Sequence, residues 1–185
     1  PLLQPPAGRG MGRELVEGCP QRRQIGVERP APGLQPVRPL ARRTVVRAGR
    51  VVTLEAEPAH AAVARASIDR AGVGEKVEIM VGIAADTLPT LEGGEPFDFV
   101  FIDADKESNT IYLDWAARLG RPGTVIVLDN IGRNGDVADP RSTDPMVIGT
   151  RNALAMLGSD PRFEATALQT VGMKGWDGVA LAVVT

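Results

Sequence analysis

From residue 51 onward, short blocks of consecutive apolar residues alternate with stretches in which apolar residues return every three or four positions. The first block, Val51-Val52-Thr53-Leu54, ends on Glu55. Pro58 suits the first turn of a helix, and Ala61, Ala64, Ile68 and Ala71 then share one face before Gly72 stops it. A second block, Val77 to Val81, ends on Gly82 and leads into a short helix over Ala84–Leu91. The third, Phe99 to Ile102, ends on Asp103; the helix after it places Tyr112, Trp115, Ala116 and Leu119 on one face, and Gly120 and Pro122 close it. The fourth, Val125 to Leu128, ends on Asp129. Asp144-Pro145 caps the next helix, with Val147, Thr150, Leu154 and Leu157 facing inward. Phe163–Leu168 and Gly178–Val184 read as two closing strands. Strands alternating with helices predict βαβ units and an α/β fold with a mostly parallel central sheet flanked by helices. The near-continuous apolar strands predict a sheet covered on both faces.

Residues 1–47 follow no such pattern. The first 50 residues hold ten Arg against three Glu, a net of +7, so the remaining 135 carry −9 of the whole-chain −2. They also hold eight of the fifteen prolines and none of the seven aromatics. Such a segment has little with which to build a core, and it predicts a disordered or non-native leader ahead of a domain spanning 48–185. Its arginines form no helical stripe and no aromatic is interleaved for base stacking, so nucleic acid is not the expected partner.

Composition narrows the chemistry. The lone Cys19 excludes an intrachain disulfide framework, and the lone His60 excludes a zinc-ligand cluster and leaves little room for a Ser-His-Asp hydrolase. No apolar run approaches the roughly 18 residues of a membrane span, and no signal peptide is visible, so a cytoplasmic protein is expected.

Three apolar strands therefore stop on a carboxylate: Glu55, Asp103 and Asp129. In a parallel sheet their carboxyl ends share one rim, where open α/β folds bind ligands. Asp103, Asp129 and Asn130 offer oxygen donors alone, which suits a hard cation such as Mg²⁺, Mn²⁺ or Ca²⁺. Lys106 falls on the first turn of the helix after Asp103; a neighbouring cation disfavours its ammonium form and suits it to act as a general base. Glu55 stands where an acid accepts hydrogen bonds from the ribose hydroxyls of an adenosine cofactor. Plainer roles are equally open: a helix cap for each acid, Glu55 capping the helix at Pro58, and a solvated helix-start lysine for Lys106.

The segments Gly49-Arg-Val-Val-Thr-Leu-Glu55, Phe97-Asp-Phe-Val-Phe-Ile-Asp-Ala-Asp-Lys106 and Val127-Leu-Asp-Asn130 resemble the cation-dependent O-methyltransferases, a family that includes catechol and caffeoyl-CoA O-methyltransferases. Gly172-Met-Lys-Gly-Trp-Asp-Gly178 is similar to bacterial members. The resemblance implies a Rossmann-like methyltransferase fold and transfer of a methyl group from S-adenosylmethionine to a hydroxyl of a small, catechol-like acceptor. It implies that Asp103, Asp129 and Asn130 hold a divalent cation, with Mg²⁺ the expected ion, and that Lys106 is the base. It further implies that Glu55 binds the ribose, Ala84 lies against the adenine, Asp103 lies beside the methionyl part, and two chains pair as a homodimer. The loop Ile131–Thr143 borders the acceptor in this reading, with Arg133 and Trp176 as candidates for contacting it, Trp176 serving equally as packing.

One motif is missing. Family members carry a strand and a Gly-rich turn, Glu-x-Gly-Thr-x-x-Gly-Tyr-Ser, before the strand that ends on Glu55. Arg23-Gln-Ile-Gly-Val-Glu28 is the nearest match and lacks the second glycine and the Tyr-Ser. The abrupt change near Arg47 resembles GC-rich DNA read in a wrong frame, and it predicts a sheet incomplete at the N-terminus with exposed edges. Two other functions remain: a degenerate, inactive methyltransferase fold, or a nucleotide-binding Rossmann oxidoreductase. The second requires a G-x-G-x-x-G turn before Glu55, which is absent, and leaves Asp129-Asn130 without a role.

Overall fold

The computed structural model describes residues 49–173 and 175–185, which lie within a compact unit spanning Val46–Thr185. The expected leader, residues 1–47, lies outside the described residues. In chain order the elements are β1 (Val51–Glu55), α1 (Pro58–Arg70), β2 (Val77–Val81), α2 (Ala84–Thr87), β3 (Phe99–Ile102), α3 (Asn109–Leu119), β4 (Val125–Asp129), α4 (Pro145–Ser159), β5 (Phe163–Gly172) and β6 (Gly175–Val184). The expected helix over 84–91 is an α-helical turn that tightens into a 3₁₀ turn at Leu88–Leu91, where Pro89 withholds a backbone donor.

The strands form an α/β arrangement with helices against a sheet that is in two parts among the described residues. β1 and β2 pair in parallel, and β3, β4, β6 and β5 form a second sheet in that order. β3–β4 is parallel; β4–β6 and β6–β5 are antiparallel. Among the described residues no strand joins β1 to β3, and each has one edge without a described partner.

The closing strands are longer than the sequence pattern suggests. β5 and β6 pair from Phe163↔Val184 to Gly172↔Gly175, so Trp176 and Asp177 lie inside β6 rather than in a loop ahead of it. Backbone pairing carries this extension where the apolar alternation has faded.

The core sits on one face of the four-stranded sheet. Ile102, Ile126, Leu128, Ala180, Ala182 and Val184 pack there against Tyr112, Leu113 and Ala116 of α3 and Ala153 and Leu157 of α4. Fully burying a side chain of the size of Leu128 or Ile126 contributes about 1.5–3 kcal/mol. The inward set expected for α4 is present, with Val147, Thr150 and Leu157 buried and Leu154 packed against the core. On α3, Tyr112, Ala116 and Leu119 are buried, while Trp115 is half-buried beneath the Arg118 guanidinium, 3.9 Å from its ring centroid.

The opposite face corrects the expectation of two covered sides. Phe99 and Phe101 are 57% and 56% exposed, and Val125 and Val183 beside them are exposed as well. Residues two apart on a strand share a face, and the register Phe99↔Val125↔Val183 makes these side chains one apolar patch. The helices α3 and α4 both lie on the other side, so the apolar runs reflect strand character on both faces with cover on one.

The turn from β3 into α3 is tied down locally. Asp105 accepts from the backbone of Ser108 at 3.1 Å and from the Tyr112 hydroxyl. Burial works to raise the Asp105 carboxyl, but the bonds from Ser108 and Tyr112 outweigh it and hold that group below its ordinary range. Burial, then the bond to Asp105, pushes the Tyr112 phenol up to about 12.

Two outcomes follow from this packing. Phe101→Thr is expected to change stability by less than about 0.5 kcal/mol and Ile126→Ala to cost about 2–5 kcal/mol, read by urea melts; equal costs would show that the two faces are equally packed. Tyr112 is the chain's one tyrosine, so absorbance at 295 nm reads it alone. Its folded value lies above the ordinary one of about 10, so its stabilisation is complete below pH 10 and is lost as pH rises through about 12. The Asp105 contribution has the opposite sense: it is present above pH of about 4 and lost as pH falls through the lowered folded value. Tyrosinate is expected to appear with a midpoint near 12 in the folded protein, and a midpoint near 10 in chain that is still folded would sink the Asp105–Tyr112 tie.

Candidate functional site

Ile102 pairs with Leu128 at the ends of β3 and β4. The next residues along each chain, Asp103 and Asp129, are therefore neighbours across strands about 4.8 Å apart, and Asn130 follows directly. The parallel pairing thus brings all three proposed cation ligands to one rim. Both aspartates and Asn130 are half-buried. The backbone N–H of Asn130 donates to Asp129 Oδ1 at 2.8 Å, and Asn130 itself holds a left-handed φ of 57°, a conformation that asparagine tolerates better than most residues.

Lys106 corrects the sequence reading twice. It sits in the turn ahead of α3, which begins at Asn109, rather than on the first helical turn. It is also not a solvated lysine, being 2% exposed with its ammonium 3.1 Å from Asp103 Oδ1. A buried ammonium needs such a partner, because an unpaired charge away from water is strongly disfavoured. Gly149 of α4 makes this burial possible: a Cβ there would fall 2.2 Å from the Lys106 carbonyl oxygen, so the helix closes over the turn only with glycine at that point.

Glu55 ends β1, opposite Val81 at the end of β2. The plain role of capping the next helix belongs to Glu57, whose side chain accepts from Ala59 N at 3.4 Å. Glu55 Oε1 instead accepts from Glu57 N at 3.0 Å and lies 3.8 Å from His60 Nδ1. Ala84 opens α2 just past the end of β2, half-buried and packed against the core. Glu55 and Ala84 therefore lie at strand ends of the two-stranded sheet, and the acids with Lys106 lie at strand ends of the other.

Sequence reasoning passed over Asp177. Its Oδ1 accepts from Gly132 N at 3.1 Å and Gly178 N at 2.9 Å, while its Oδ2 accepts from Asn130 Nδ2 at 3.0 Å. Ile131 N donates to the Gly178 carbonyl at 3.1 Å, so the loop after β4 is stitched to β6 residue by residue. A Cβ on Gly132 would meet the Asp177 backbone at 2.6 Å, which explains a glycine at that position. Asn109 was also missed: its side chain is fully buried at the start of α3, and neither amide atom has a hydrogen-bond partner among the described residues.

Beside Asp177 lies a cavity of about 260 Å³ lined by Arg133, Asn134, Asp136, Asp144, Gly175, Trp176 and Asp177. Both Arg133 and Trp176, the acceptor-contact candidates, line it; Trp176 is largely exposed rather than packed. Chemically, the rim sets the hard oxygen donors of Asp103, Asp129 and Asn130 in the same region as one enclosed lysine ammonium, and oxygen donors of this kind are the type that hard divalent cations take. Among the described residues no three His, Cys, Asp or Glu side chains gather as a metal-holding group.

With this geometry in view, the likeness to known proteins is specific. The profile of the O-methyltransferase family matches residues 40–183. A catechol O-methyltransferase from Mycobacterium tuberculosis is 58% identical over 136 residues, covering 74% of this chain and 61% of that protein. Another from Niastella koreensis is 54% identical over 144 residues, covering 77% of this chain and 65% of its own length. The chain thus spans less than two thirds of either relative. The crystal structure of the O-methyltransferase from Bacillus cereus in complex with SAH superposes with a TM-score of 0.72 at 52% identity, over 74% of this chain and 63% of that one. Rim, lysine and strand order all fall inside the matched region, and the chain belongs to the O-methyltransferase family.

Proposed function

We propose that this protein transfers a methyl group from S-adenosylmethionine to a hydroxyl of a small catechol-like acceptor, assisted by a divalent cation. The observation that carries this reading is the buried Lys106, 3.1 Å from Asp103, beside Asp129 and Asn130 on one rim of a family member's sheet. The relatives' names as catechol O-methyltransferases and the SAH complex of the Bacillus cereus protein support the acceptor class and the cofactor.

When bound, the cofactor supplies an electrophilic sulfonium methyl and the cation lowers the pKa of the acceptor hydroxyl. Asp103, Asp129 and Asn130 would hold the cation through oxygen. Lys106 pairs with Asp103 as an ammonium and has to lose a proton before it can serve as base. As the neutral amine it would take the hydroxyl proton at Nζ, freeing the acceptor oxygen for the methyl carbon while the sulfur leaves with the carbon–sulfur electron pair. Asp103 pairs with the Lys106 ammonium and is also a proposed cation ligand, so ammonium and divalent ion compete for its oxygens. Burial keeps bulk water from the amine. On the other sheet Glu55 accepts from the ribose hydroxyls, and Ala84, with its small side chain, leaves room for the adenine. Much of the rate gain then comes from holding two reactants in attack geometry.

A second reading, suggested by a sheet that is in two parts among the described residues, is a methyltransferase fold that no longer turns over. One experiment separates the two. Calorimetric titration with S-adenosylmethionine is paired with a labelled methyl-transfer assay on catechol, with and without Mg²⁺. The first reading expects cofactor binding under both conditions and transfer only with metal; absence of both binding and transfer supports the second. Lys106→Met is expected to lower kcat by about 10²–10⁴-fold, and transfer at the parent rate by that variant would remove Lys106 from the reaction.

A further inference from the structure

We propose that Asp177 is a positioning residue that fixes which end of the Asn130 side-chain amide faces the cation. The proposal rests on the reading of Asn130 as a cation ligand. An asparagine side chain carries one accepting oxygen and one donating NH₂ group on the same short arm. A hard divalent cation binds the oxygen and is repelled by the NH₂ group. In a half-turn flip the amide presents the wrong end, and its shape alone does little to prevent that.

Asp177 supplies the missing discrimination. As a carboxylate it only accepts, so the group 3.0 Å from its Oδ2 has to be the Asn130 NH₂. A flipped amide would set oxygen against oxygen. The two Asp177 oxygens carry separate tasks: Oδ1 is held by the N–H groups of Gly132 and Gly178, which leaves Oδ2 aimed at Asn130. The left-handed backbone at Asn130 and the close approach of Gly132 to the Asp177 backbone bring the two side chains into register. The hydrogen bond spans 47 positions of sequence and joins the end of β4 to β6, which pair at Asp129↔Val179.

The test is a double-substitution cycle read by calorimetric titration of the full chain with MnCl₂ alone, no cofactor present, with a thermal melt of each variant. Asp177→Asn keeps the size and the backbone-accepting oxygen, so its melt is expected to stay near that of the parent. It offers Asn130 an amide instead of a carboxylate and is expected to weaken Mn²⁺ binding by about 10–100-fold. Asn130→Asp has no flip to control, so the same Asp177→Asn change in that background should shift affinity by no more than about threefold, an upper limit set by the coupling that such cycles isolate. A uniform loss of negative field would give the same factor in both backgrounds, and that result would overturn the proposal. Unchanged Mn²⁺ binding by Asp177→Asn would overturn it too. A parent chain that does not bind Mn²⁺ would instead remove the cation reading on which it rests.

Discussion

The parallel pairing of β3 with β4 is the constraint from which the site follows. Ile102 and Leu128 face the helices while Phe101 and its neighbours face away, and that alternation fixes the register. A slip of one residue would bury Phe101 in place of Ile102 and turn every side chain on the strand to the other face. The register in turn sets Asp103 beside Asp129. Hydrophobic burial far from the rim therefore decides which polar groups meet on it, and Lys106, closed in by Gly149, inherits its place from the same turn.

Much of this was legible in the sequence because strand ends are legible. Each of the four apolar blocks became a strand with the expected bounds, and the acids that end three of them sit on the rims as their positions require. Helix starts at Pro58 and Pro145 were equally readable, since proline lacks the N–H that a first turn leaves unused. These are local signals, written within a dozen residues.

What was not legible depends on separation. Asp177 lies 47 positions from Asn130, and nothing near it in sequence marks a carboxylate as the partner of an amide. The only hint was its presence in Gly172–Gly178, a segment whose resemblance was noticed without a role attached. The burial of Lys106 depends on a glycine 43 positions later in α4, and the displacement of the cap from Glu55 to Glu57 depends on backbone angles rather than residue type. The uncovered face was misjudged for a different reason. Strands of Phe, Val and Ile are apolar on both sides whether or not anything packs on the second, so the pattern reports strand character and not cover.

The two-part sheet sets a mechanical problem for the proposed reaction. Glu55 and Ala84 stand on one sheet and the acids with Lys106 on the other, and no described strand is hydrogen-bonded to both. Among the described residues, one link between the two sheets runs through α2, which touches β1 on one side and α3 on the other, with Ala84, Ala85 and Leu88 packed against the core. A ladder of backbone bonds permits only whole-residue steps, whereas packing of small side chains yields in fractions of an ångström. Methyl transfer needs its reacting atoms about 3–3.5 Å apart, so errors of that size matter. In the proposed reaction, the packing at Ala84–Leu88 therefore bears on how precisely cofactor and acceptor would meet, through residues given no part in holding the cation or moving the proton.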